Sequence, residues 1–164
     1  MYNKLLFLSI ILFLTSCGND ESVDISYPTI NMDTADAFPQ NCVELLRGES
    51  FTFKAIFTDN NELGSYNIDI HHNFDHHSTH SDDQIECELN ERRSAEQIRA
   101  LQDAGRIFNL SQSVRIPAGQ TSFNAELEIE IPATTEPGDY HFSVSVIDAS
   151  GWQTLKGISI KIVD

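Results

Sequence analysis

Apolar and polar residues alternate with a period of two in four stretches of the chain. Residues 51–57 carry aromatic side chains or alanine at every second position, and residues 66–71 alternate tyrosine or isoleucine with polar residues. In residues 123–131 the intervening positions are mostly glutamates, and residues 140–146 repeat the alternation. Because successive side chains of a β-strand point to opposite faces of a sheet, each stretch is predicted to be a strand with one buried face.

Turn-forming residues separate these strands. Residues 59–62, 137–139 and 148–151 are rich in Asp, Asn, Gly and Pro, which favour tight turns. Three further short strands are predicted, at residues 27–30, 108–116 and 155–163. About seven short strands separated by turns every 8–12 residues or so predict an all-β sandwich.

One short helix is predicted within this β pattern. Ser94 and Gln97 have the spacing of a capping box, in which each side chain bonds the backbone N–H of the other residue. Apolar residues follow at helical spacing, namely Ile98, Leu101 and Ala104. Gly105 stands where a helix often ends. The helix is expected at residues 95–104, inside an insertion at residues 88–108.

Residues 71–80 hold five of the six histidines of the chain. Neutral imidazole is the commonest protein ligand for transition metals, so this density predicts a metal site. The expected ligands are His71, Asp75, His77 and His80, with His76 in reserve. A set of imidazoles and one carboxylate suits tetrahedral zinc, and copper or nickel also fit these ligand types.

Side-chain parity orders the first part of the histidine segment. If the strand that holds Ile70 continues, His72 and Phe74 point inward, and His71 and Asp75 share the other face. His72 is therefore expected to pack or hydrogen-bond inside the domain and not to bind the metal.

Other polar residues are assigned supporting roles. Asp69, Asp82 and Asp83 are candidates to orient metal-bound imidazoles through hydrogen bonds. His141 has the parity of the outward-facing residues of its strand and is expected at the surface.

The same residues allow three other interpretations. The segment could be a solvated polar loop, a pH-responsive loop that gains positive charge on mild acidification, or a structural part of a non-catalytic interaction or adhesion module. A metallohydrolase would use Asp69 or Asp75 as its general base. The chain contains no His-Glu-x-x-His or Gly-x-Ser-x-Gly motif, so no catalytic residue is assigned and an enzyme is not expected.

The first residues resemble a bacterial lipoprotein leader. Lys4 precedes an apolar run too short to span a bilayer, and Leu14-Thr15-Ser16-Cys17 resembles the lipobox. The resemblance implies cleavage before Cys17 and a lipid anchor on that residue, whereas an ordinary signal peptide with an incidental cysteine is the alternative. The expected organisation is a signal peptide at 1–16, an acidic tether at 17–27 and one domain at 28–164.

The two remaining cysteines form an even pair. With Cys17 lipidated in an oxidising compartment, Cys42 and Cys87 are expected to form a disulfide around the histidine segment. Such a loop would stabilise the fold by roughly 4 kcal/mol in the chain-entropy model. The alternative is that Cys87 is a thiolate metal ligand.

Charge limits the partners. The formal net charge of −15 repels phosphate backbones, so nucleic acid is not an expected partner. The expected partners are a metal ion, the membrane through the lipid anchor alone, and an outer-membrane transporter or other envelope protein, with capture or sensing of the metal as the role.

Two resemblances to known families concern the fold and the location. Residues 137–151, with Pro137-Gly138-Asp139-Tyr140 at their start, resemble the end of bacterial immunoglobulin-like domains, which implies an immunoglobulin-like β-sandwich. Residues 18–22 resemble the export tag of surface lipoproteins of Bacteroidota. Residues 70–80 are similar to a family of Bacteroidota lipoproteins with a His-rich segment in such a domain. This implies a lipid-anchored protein of the cell outer membrane, facing the periplasm or the surface, and implies no activity.

Overall fold

The computed structural model, which describes residues 24–77 and 87–164, contains the seven predicted strands, one further short strand and the capped helix. In chain order the elements are β1 (Thr29–Asn31), β2 (Val43–Leu46), β3 (Ser50–Thr58), β4 (Leu63–His72), α1 (Ala95–Asp103), β5 (Leu110–Arg115), β6 (Ser122–Glu130), β7 (Gly138–Asp148) and β8 (Gln153–Val163). No helix among these residues is long and apolar enough to cross a membrane. The predicted leader and Cys17 lie outside the described residues.

The strands form two sheets that face each other. One sheet has the order β1-β3-β6 and is antiparallel, and the other has the order β2-β8-β7-β4-β5. In the larger sheet β2 runs parallel to β8, and the other neighbours are antiparallel. The predicted immunoglobulin-like β-sandwich with one short helix is confirmed.

The core lies between the inward faces of the two sheets. Phe53 of β3 and Phe142 of β7 are fully buried, and their ring centroids lie 5.7 Å apart across the sandwich. Ile68 and Ile70 of β4 are buried on the same side as Phe142, as the alternation predicts. Burial of these side chains holds β4 and β7 in one register, because a slip by one residue would turn their apolar faces to solvent.

A tyrosine corner fixes the entry into β7. Tyr140 is 1% exposed, and its hydroxyl donates to the Glu136 carbonyl at 2.9 Å. This contact is a known feature of immunoglobulin-like sandwiches. Arg93 and Arg106 pair with the Glu136 carboxylate at 2.8 and 2.6 Å, so the segment before β7 is held from two sides.

The helix forms where its caps predict. Ser94 N donates to Gln97 Oε1 at 2.8 Å, and Gln97 N donates to Ser94 Oγ at 3.3 Å. The chain leaves the helix through Gly105, whose φ of +65° lies in the region that glycine adopts without strain. The helix lies in the connection between β4 and β5, which also contains the histidine segment.

The structure contains the disulfide between Cys42 and Cys87. Cys42 directly precedes β2, at the edge of the larger sheet, and Cys87 follows the histidine segment. The disulfide therefore ties the connection between β4 and β5 to the edge of the larger sheet that β2 forms. The alternative, in which Cys87 supplies a thiolate to a metal, is inconsistent with this pairing.

Tyr140→Phe tests the tyrosine corner. Burial raises the pKa of Tyr140 to about 12 from an ordinary value of 10.0, so the native state keeps the phenol neutral. Because the folded pKa is raised, the resulting stability is present below pH 10 and is lost as pH rises through about 12. At pH 8 the variant should unfold with a free energy about 1 kcal/mol lower, through loss of the hydrogen bond. At pH 11 the difference should shrink. Urea unfolding of both proteins at pH 8 and pH 11 measures the difference in unfolding free energy. The same difference at both pH values would contradict the raised pKa of Tyr140.

Candidate metal centre

The histidine segment begins where β4 ends beside the start of β7. In the register of these strands His71 lies opposite His141, and His72 lies opposite Tyr140. His71 and His141 therefore share the outward face of the sheet, and their ring centroids are 5.2 Å apart. His72 follows the inward parity of β4 and is half-buried at the edge of the core.

A tight turn brings the chain back after β4. Asn73 N donates to the Asp139 carbonyl at 2.8 Å, and His76 N donates to the Asn73 carbonyl at 3.0 Å. His76 has a φ of 54°, in the left-handed region, so the chain reverses and does not extend the strand. The reversal returns Asp75 and His77 toward the end of β4.

Arg93 holds this turn in place. Its backbone N–H donates to the Phe74 carbonyl at 2.8 Å, and its guanidinium lies 4.3 Å from the centre of the Phe74 ring. The same guanidinium donates to Glu136 and to the Pro137 carbonyl. A Cβ at Gly138 would lie 2.7 Å from the Phe74 ring, so glycine is needed for this close approach.

Three side chains converge at the end of β4. A ring nitrogen of His72, a ring nitrogen of His77 and a carboxylate oxygen of Asp75 all lie within 4.8 Å of one another. Tetrahedral zinc, with ligand bonds of 2.0–2.2 Å, separates its ligand atoms by roughly 3.4 Å. Small side-chain rotations would therefore close the group around one ion.

Two histidine–carboxylate pairs surround this group. His71 Nδ1 lies 2.6 Å from Asp69 Oδ1, and His77 Nδ1 lies 2.5 Å from Asp75 Oδ1. The rings of His71 and His77 stack with centroids 5.5 Å apart. In a neutral ring whose Nδ1 donates to a carboxylate, Nε2 keeps its lone pair, which is the usual arrangement of metal-binding histidines.

The electrostatics of the group favour ligand-ready protonation states. Burial lowers the pKa of His72 below its ordinary value, and the neighbouring His77 lowers it further, so His72 is neutral at neutral pH. The hydrogen bond from His77 lowers the pKa of Asp75, which keeps that carboxylate ionised. Nδ1 of His72 is buried and has no hydrogen-bond partner among residues 24–77 and 87–164.

The structure brings only some of the predicted ligands together. Asp75 and His77 belong to the converging group, and His71 stacks beside it. His76 points to another segment, because its Nε2 contacts the Asn90 carbonyl at 3.1 Å. His80 lies outside the described residues, as do Asp82 and Asp83.

His72 is the member of the group that sequence reasoning assigned to packing. Side-chain parity puts Asp75 on the face of His71 only if β4 continues, whereas β4 ends at His72 and the chain turns at Asn73. The turn brings Asp75 and His77 back beside the end of β4, where the His77 ring contacts both His71 and His72. Asn73 after a strand, followed by Asp75, is a turn signal that could have indicated this change.

The prediction that His141 lies at the surface is wrong, since it is 8% exposed. Its outward parity is right, but residues 88–90 lie against this face of the sheet. Asn90 N donates to Asp139 Oδ2 at 2.7 Å, and Lys161 Nζ donates to the Glu88 carbonyl at 2.9 Å. Sequence parity assigns a face and does not reveal what covers it.

These observations define an immunoglobulin-like β-sandwich with clustered imidazoles and carboxylates at one end of its larger sheet. The chain belongs to the family described as Domain of unknown function (DUF4625), which matches residues 15–163. Among solved structures it is similar to the PmoD soluble domain from Methylocystis sp. ATCC 49242 (Rockwell), with 16% identity and a TM-score of 0.29 over 83% of this chain and 90% of that chain. No curated protein matches the chain significantly.

The lowered pKa of His72 predicts a pH dependence of stability in chelator-treated protein. The unfolded side chain takes up a proton near pH 6.5, and the folded one does so only at lower pH. The unfolded state therefore binds more protons, and stability is lost as pH falls from about 7 to 5. His72→Phe, which keeps an apolar ring at the inward position, should reduce the slope of unfolding free energy against pH. Equal slopes in the two proteins would contradict this assignment.

Proposed function

We propose that this chain is a cell-envelope lipoprotein that binds a divalent transition metal through the end of β4 and the turn that follows. Zinc is the first candidate for this metal. The convergence of His72, Asp75 and His77 within 4.8 Å carries the proposal. Three donor groups this close, two of them imidazoles, match the ligand types of zinc, and copper and nickel accept the same set.

The ligand set differs in part from the one that spacing predicts. His72 and His77 supply two imidazoles, and Asp75 supplies a carboxylate oxygen or orients His77 through the existing hydrogen bond. A metal on His72 would use an imidazole that burial keeps neutral. His71, held through Nδ1 by Asp69, offers Nε2 as a further ligand, and His80 is the candidate from outside the described residues.

The proposed location follows from the leader. The lipobox-like sequence before Cys17 supports a lipid anchor in the outer membrane of a bacterium of the Bacteroidota type, with the domain facing the periplasm or the surface. Metal capture or sensing for an outer-membrane transporter or another envelope protein is the role that fits such a tethered site. The net charge of −15 favours cations near the domain.

Zinc titration of purified protein by calorimetry tests the proposal. The wild type should bind one zinc ion, and the double variant His72→Ala/His77→Ala should lose affinity by about 100-fold or more, since both imidazoles would be ligands. His76→Ala is the matched control, because His76 contacts the Asn90 carbonyl and should leave affinity within about threefold. Wild-type affinity in the double variant would refute the proposed site.

A second measurement separates a metal that the protein carries from one that only holds the turn. Zinc bound to the native state raises the melting temperature by linkage, by an amount that depends on the free zinc concentration. A carried metal should pass to a competing chelator without loss of the native near-ultraviolet circular dichroism. Unfolding on chelation would indicate a purely structural ion and would oppose the role in capture or sensing.

A further inference from the structure

Three aspartates converge at the end of the sandwich opposite to the histidines. Asp24 precedes β1, Asp59 follows β3 and Asp148 ends β7. One carboxylate oxygen of each lies within 4.8 Å of the other two. Two oxygens bound to one calcium ion at about 2.4 Å are separated by at most ~4.8 Å, so these three oxygens are close enough to one another to share a calcium ion.

Buried oxygens without partners point independently to a ligand at this place. Asp148 is 4% exposed, and its Oδ1 accepts from Trp152 N at 2.8 Å. Its Oδ2 is inaccessible to solvent and has no hydrogen-bond partner among the described residues. Asp59 repeats the arrangement, because Oδ2 accepts from Asn61 N at 2.8 Å while Oδ1 is buried and has no hydrogen-bond partner within residues 24–77 and 87–164. Leaving a buried carboxylate oxygen without a partner is costly, and a cation would remove that cost.

In the part of the chain that the structure describes, no cationic side chain balances the charge of this group. None of the ion pairs within residues 24–77 and 87–164 involves Asp24, Asp59 or Asp148. Asp24 accepts hydrogen bonds from Ser26 N at 3.0 Å and Asn60 Nδ2 at 3.2 Å, and neither donor carries a charge that would balance the carboxylates. Three carboxylates this close repel one another unless a cation lies between them.

The group also joins the N-terminal segment to the domain. Trp152 Nε1 donates to the Asp24 carbonyl at 2.9 Å, and the rings of Tyr27 and Trp152 meet edge to face at 4.7 Å. Ser150 Oγ donates to Asp24 Oδ2 at 3.3 Å. Residues 24–27, expected from sequence to be part of a tether, therefore lie against the turn between β7 and β8.

We propose that Asp24, Asp59 and Asp148 bind a calcium ion that fastens the segment before β1 to the β3–β4 and β7–β8 turns. A set of carboxylate oxygens without nitrogen or sulfur donors selects a hard cation, and calcium accepts the irregular geometry of three separate segments more readily than magnesium. The site is distinct from the histidine group, because the nine steps from Leu63 to His72 along β4 separate the two by about 30 Å.

Trp152 reports directly on this site, since it is the single tryptophan of the chain and contacts Asp24. Calcium added to chelator-treated protein should change tryptophan fluorescence along a saturable curve with a Kd of about 10⁻⁴–10⁻³ M, the range of extracellular calcium modules, and should raise the melting temperature. Magnesium at the same concentrations should give a much smaller response. No calcium response, or an equal magnesium response, would overturn the proposal.

Variants localise the effect. Asp148→Asn should weaken calcium binding by about tenfold or more, and Asp24→Asn, in the segment before β1, should do the same without disturbing the core. Asp103→Asn removes one exposed charge from α1 and is the matched control, which should bind calcium as the wild type does. The variant His72→Ala/His77→Ala should also keep the calcium response, which separates this test from that of the zinc site. A wild-type calcium response in Asp24→Asn would exclude the proposed ligands.

Discussion

The antiparallel pairing of β4 with β7, in the interior of the larger sheet, is the constraint on which the rest of the structure depends. The register sets Ile70 opposite Phe142 in the core. The same register sets His71 opposite His141 at one end, and at the other end an irregularity between Leu63 and Ser65 sets Leu63 opposite Asp148. Because a slip by one residue would move every side chain to the other face, burial of the apolar positions also determines which polar groups meet at the two ends. Both candidate sites are thus consequences of core packing.

The connections after β4 turn this alignment into a defined site. A strand end alone leaves polar side chains free to move in solvent, and ordering them costs conformational entropy. Here Arg93 joins the turn to the segment before β7, because its backbone N–H donates to the Phe74 carbonyl and its guanidinium donates to Glu136 and Pro137. The disulfide from Cys87 to Cys42 fastens the far end of the histidine segment to the opposite edge of the sheet. Because these contacts order the turn when the domain folds, less conformational entropy remains to be lost when a metal binds.

Local sequence patterns predicted the strands and the helix because their causes are local. The two-residue alternation of β3 and the capping box at Ser94 each depend on neighbours a few positions apart. The site required knowledge of where β4 ends: parity placed His72 on the inward side, as observed, but did not reveal that the turn at Asn73 brings Asp75 and His77 beside it. The burial of His141 depends on a segment about fifty positions earlier in the sequence. Asp24, Asp59 and Asp148 are far apart in the chain, so only the topology brings them together.

The two groups differ in donor chemistry, so the two proposed ions would not compete for the same ligands. Imidazole nitrogens at the end of β4 favour zinc over calcium, whereas carboxylate oxygens alone favour calcium. The positions of the groups also bear on orientation. If Cys17 carries the lipid, the seven residues from Cys17 to Asp24 span at most about 25 Å. The aspartate group would then hold its end of the sandwich toward the membrane, and the histidine group, about 30 Å away along β4, would face outward to a metal source or a partner.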